Sequence, residues 1–200
     1  MRPISGGFQL SDPTYLKNLK AFGRGEPTEA DICSLESEMY SGPDRGAAVV
    51  LGSMVERSLG QLLRNNMRTQ GVNELFEYNG PMGSFSAMTQ VAYAFKLIGP
   101  KVRSDLNIVR HIRNQFAHSR RPIRFTTVEV REACKHLQLP DEPGVHLNFR
   151  MLNSVSAARL RQASDKSHPR TRYFTSCNEI AQRIYFVRTG DPSAALNQLP

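Results

Sequence analysis

The chain has 200 residues, 40% hydrophobic and 22% charged, with a formal net charge of +8. That composition suits one domain with a real core and excludes a fully disordered polymer. No apolar run approaches the roughly 18–20 residues of a membrane span, and the N-terminus lacks the apolar stretch of a secretory signal. Cys33, Cys134 and Cys177 are scattered without metal-ligand spacing. The expectation is a cytoplasmic protein with reduced thiols, no metal, no cofactor and no membrane partner.

The charge is concentrated. Residues 1–60 carry eight acidic and six basic side chains, whereas 101–131 carry eight basic against two acidic, and 150–188 repeat that ratio. Two basic segments of this kind favour a polyanionic partner, either nucleic acid or the acidic surface of another protein.

In chain order, residues 1–27 are rich in Gly, Pro and Ser without a sustained period, which predicts an irregular N-terminal arm. Thr28, paired with Asp31, opens a first helix. Asp44 is expected to cap the second, whose stripe of Ala47, Val50, Leu51, Met54, Val55, Leu59, Leu62 and Leu63 spans about five turns. Gly46, Gly52 and Gly60 weaken that helix unless they permit close approach by a neighbour. In the connector, Asn79-Gly80 and Gly83 suit unusual dihedrals and Pro81 sets a turn. Met88, Val91, Ala92, Phe95 and Ile98 mark a third helix, stopped at Gly99-Pro100.

Residues 101–118 form the most informative helix. Leu106, Val109, Ile112 and Phe116 recur at helical spacing as a buried stripe. Asn107, His111, Asn114 and His118 recur at the same spacing on a polar face flanked by Arg110 and Arg113. Pro122 ends the helix, leaving Arg120, Arg121 and Arg124 in a basic turn that, with Arg110, is suited to contact nucleic-acid phosphate or acidic side chains. Thr126 and Glu129 read as a capping box for a helix from Val128 to about Leu139. A weaker helix over 147–162 and a last one from Tyr173 to Tyr185 follow.

No stretch alternates long enough to demand a strand, with 145–149 the best and a poor candidate. The reading is all-α: a compact multi-helix bundle over 28–140, a helical C-terminal extension over 141–190, and a tail over 191–200. A Walker loop, zinc spacing and a nucleophile elbow are all absent.

The run Gly80-Pro81-Met82-Gly83-Ser84, an apolar helix, then Asp105-Leu106-Asn107 and Arg113-Asn114-Gln115-Phe116-Ala117-His118 resembles the bacterial mannitol operon repressor family over about residues 45–140. That resemblance implies a compact helical protein acting in transcriptional repression, through protein contacts or through basic nucleic-acid binding. Gly80, Pro81 and Gly83 form the family loop.

Arg113-Asn114-x-x-x-His118 is also similar to the signature of the HEPN superfamily, helical bundles that include metal-independent ribonucleases. This second resemblance implies a composite site at a dimer interface. His118 would act as general acid or base, Arg113 would stabilise phosphate charge, and Asn114 would orient them. Positions 113 and 118 point about 140° apart on one helix, so a second protomer would have to complete the site. A homodimer is therefore expected, and the helix glycines point the same way. The residues also admit a purely structural role, with Arg113 paired to Glu56 or Glu77 and His118 placed at the helix dipole.

Overall fold

The computed structural model describes residues 13–24, 28, 30–31, 34–35, 39–40, 42–68, 70–145 and 165–188. The chain divides into two compact units, Met1–Leu35 and Glu36–Pro200. This boundary falls inside the segment expected to be one bundle. In the first unit, Thr14–Arg24 (α1) is helical where an irregular arm was expected. Thr28 and Asp31 form the anticipated reciprocal cap: the Asp31 amide donates to Thr28 Oγ1 (3.2 Å), and the Thr28 amide donates to Asp31 Oδ2 (2.9 Å).

The second unit is a helical bundle of Asp44–Asn65 (α2), Phe85–Ala94 (α3), Pro100–His118 (α4), Val128–Lys135 (α5) and Pro169–Arg188 (α6). No strand occurs among the described residues. Helix α2 packs on α3, α4 and α6, and α6 also packs on α4 and α5. The α4 stripe Leu106, Val109, Ile112 and Phe116 is buried as its periodicity requires. On α2 the buried strip is shifted. Ala48 and Gly52 are enclosed, whereas Met54 remains 39% exposed, because neighbours on several sides favour small residues at the contacts.

Helix α3 stops four residues before the expected Ile98. Lys96 takes φ 59°, and the amides of Lys96 and Leu97 donate back to Tyr93 O and Ala92 O. This is the paired hydrogen-bond closure usually built on glycine. It turns Phe95 outward, 69% exposed, while Ile98 returns to the core. The Thr126–Glu129 capping box does not form. Thr127 is the N-cap residue, and its hydroxyl instead accepts from the Arg124 amide at 3.0 Å.

The C-terminal helix, expected as an extension, belongs to the core of the same bundle. Tyr173, Phe174, Cys177, Ile180 and Ile184 are buried, and so are Thr171, Arg172, Thr175 and Ser176. Phe125 stacks between Phe116 and Tyr173, with ring centroids 4.9 and 5.4 Å away. Two polar side chains of α6, Ser176 and Arg172, are held by a buried network. Ser176 Oγ donates to Asp105 Oδ2 (2.8 Å), and Asp105 also accepts the amides of Gln138 (2.8 Å) and Leu139 (3.0 Å). Arg172 donates to the carbonyls of Cys134 and Leu137 and forms a bidentate pair with Asp141. The weak helix anticipated over 147–162 lies outside the described residues.

Candidate functional site

The basic turn after α4 is held from three sides. Arg45 Nη1 donates to Phe116 O (2.6 Å), and its Nη2 donates to Ser119 O (3.2 Å) and Arg121 O (3.3 Å). A cation at these carbonyls complements the negative end of the α4 dipole. The Arg121 amide donates to Ser119 Oγ at 3.1 Å. At the far end, Phe125 is buried and its amide donates to Asp44 Oδ2 at 2.9 Å. Asp44 was expected as a helix cap. It serves as a long-range tie instead, since Arg170 Nη1 reaches its other oxygen at 2.7 Å.

The backbone of 119–125 is thus fixed while Arg120, Arg121 and Arg124 are exposed. No hydrogen bond or ion pair joins their guanidinium groups to another described residue. Sequence reasoning found the three arginines but missed Arg45, Asp44 and Phe125, which position them. Their partners lie 70 or more residues away, so no local pattern signals the roles.

The other α4 candidates, Arg110 to His118, lie over the last two to three turns of the helix. Arg113 forms a salt bridge with Glu56 of α2, and its Nη1 donates to Asn114 Oδ1 at 2.9 Å. Arg110 Nη2 lies 2.8 Å from His111 Nε2. His118 is exposed in the last turn, with no hydrogen bond joining it to Arg113 or Asn114. Within the chain, then, Arg113 and Asn114 are brought together and His118 stands apart. Among the described residues, no group of three His, Cys, Asp or Glu side chains could hold a metal ion.

Gly52 allows this arrangement. A Cβ there would lie 2.7 and 2.8 Å from Arg113 Cγ and Cβ, and 2.9 Å from the Tyr173 hydroxyl. That hydroxyl donates to Ala48 O at 2.9 Å. The close approach that Gly52 permits is therefore made within the chain, to Arg113 and Tyr173. Gly52→Ala is expected to destabilise the chain by about 1–3 kcal/mol, the usual range for overpacking. Urea denaturation measures the loss. Arg113→Ala in the same background is expected to recover little of it, because alanine keeps the Cβ at 2.8 Å and leaves the Tyr173 hydroxyl in place.

Gly80, Pro81 and Gly83 lie beyond the opposite end of α2, a helix of 22 residues and so about 33 Å long. Positive φ is found at Gly71 and Gly144, not at Gly80 or Gly83. The loop glycines serve close packing instead. A Cβ at Gly80 would strike the carbonyls of Glu74 and Leu75, and one at Gly83 those of Glu77 and Tyr78. The Met82 amide donates to Leu75 O at 2.8 Å and seals the loop.

Fold and site together define a helical bundle carrying a rigid, arginine-rich turn beside a closed Arg113–Glu56 pair. No family model matches the sequence, and no curated protein matches it either. Among solved structures, the fold is similar to a chain in the X-ray structure of the MtlR–HPr complex from Escherichia coli. The TM-score is 0.56 at 16% identity, covering 76% of this chain and 96% of that one. At this identity the likeness establishes a common fold. It agrees with the compact helical bundle expected from the sequence.

Proposed function

We propose that the chain is a non-enzymatic regulatory protein related to the mannitol operon repressors, acting by docking a protein partner through Arg120, Arg121 and Arg124. The observation carrying this reading is three exposed, unpaired guanidinium groups on a backbone fixed by Arg45, Ser119 and Asp44. A fixed turn lowers the ordering cost of binding, and arginine forks suit carboxylates. A structural neighbour found in complex with another protein supports the choice of a protein over nucleic acid. The Glu56–Arg113 pair supports a non-catalytic role, because a carboxylate occupies the guanidinium that a phosphate would need.

Calorimetric titration tests this, with purified HPr as the first titrant and then proteins recovered by cross-linking in cells. Replacing Arg120, Arg121 and Arg124 together by serine is expected to weaken partner binding by roughly 10²-fold or more without lowering Tm, since charged contacts at interfaces are worth about 1–3 kcal/mol each. Steeply salt-dependent binding to a DNA duplex, with no protein bound, would assign the turn to nucleic acid instead.

A further inference from the structure

Helix α1 presents an apolar face to solvent. Tyr15 is 70% exposed, Leu19 67% and Phe22 87%. Their spacing of four and three residues puts them on one strip of the helix, and position 16 adjoins it, for an apolar arc of about 120° at 100° per residue. An 11-residue helix is marginal in water on its own, and this one exposes the side chains that would bury on docking. Its charge has a single sign. Lys17, Lys20 and Arg24 lie within it and no acidic residue does, and the three positions cluster on the strip beside the apolar arc.

We propose that α1 is an interfacial helix that seats the chain on an anionic lipid surface. Tyr15, Leu19 and Phe22 enter the headgroup–acyl boundary while the cationic edge faces lipid phosphates. The charge pattern selects this occupant. A lipid surface supplies an apolar layer and a continuous negative potential side by side, and asks for no shape match to so short a helix. No described helix is long and apolar enough to cross a membrane, and an interfacial helix does not need to be. This reading is independent of the basic turn.

The test is cosedimentation of the full chain with vesicles of phosphatidylcholine, with and without phosphatidylglycerol. The expected result is binding only to the anionic vesicles, weakened by salt. Leu19→Ser with Phe22→Ser should reduce it by roughly 10²-fold while Tm is unchanged. Lys17→Gln with Lys20→Gln should bring anionic binding down towards the neutral-vesicle level. Three results overturn the proposal. One is absence of wild-type binding to anionic vesicles. Another is vesicle binding indifferent to Leu19 and Phe22 but abolished by Arg120→Ser with Arg121→Ser. The third is a fall in Tm, or loss of a concentration-dependent dimer, in the Leu19/Phe22 variant, either of which means that protein already covers the face.

Discussion

Asp105→Ala is expected to lower the unfolding free energy by about 3–5 kcal/mol, the cost of removing one member of a buried charged network. Asp105 is fully buried, and its two oxygens accept the Gln138 and Leu139 amides and the Ser176 hydroxyl. Alanine would leave these donors without an acceptor at the junction of α4, α6 and the 139–141 turn, in a place closed to water. Asn is a milder change, though its amide nitrogen would face a donor on one side. Burial pushes the Asp105 pKa above the ordinary carboxylate value, opposed by the two amides, Ser176 and Arg172. The folded state therefore holds this proton more tightly than the unfolded chain. Its contribution is largest below the unfolded value of 3.8 and declines as pH rises through the raised folded value. The stability gap between wild type and Asp105→Asn should accordingly widen as pH falls through that window. Urea titrations at a series of pH values measure it.

Arg172→Leu is expected to cost about 2–4 kcal/mol. The side chain is only 10% exposed and binds two carbonyls at the end of α5, those of Cys134 and Leu137, together with Asp141. Asp141 itself is 62% exposed, so water can replace the arginine there. The loss therefore comes mainly from the stranded carbonyls and from the neighbouring Asp105, whose charge Arg172 helps to offset. For the same reason the double variant should lose less than the sum of the single ones. Thermal unfolding of the four proteins measures the coupling.

The features legible in the sequence were those with a local period. The α4 stripe, the core residues of α5 and α6, and the Thr28–Asp31 cap need only neighbours three or four positions away. Features settled by distant partners were not legible. Asp44 looks like a cap in isolation, but it is taken by Phe125 and Arg170. The Gly80 and Gly83 requirement arises from carbonyls five and six positions upstream, not from their own dihedrals. Helix α6 hides its central place because four of its buried residues are polar and read as a solvated surface. Helix α1 was obscured by the Gly, Pro and Ser around it, although Tyr15, Leu19 and Phe22 already carried the period. At the candidate site, Glu56 was foreseen as one of two possible partners for Arg113. The posture of the basic turn depends on Arg45, which nothing nearby marks.

The measurement bearing most directly on a docking rather than a catalytic role is cleavage of single-stranded RNA in the presence of chelator, with a DNA copy as control. Wild type, Arg113→Ala and His118→Ala should be equally inactive, because Glu56 engages Arg113 and His118 stands apart from it. Cleavage that requires the 2′-hydroxyl and falls roughly 10²–10⁴-fold in His118→Ala would contradict the account. The α4 motif would then be a ribonuclease centre, with Glu56 as the group that must release its arginine.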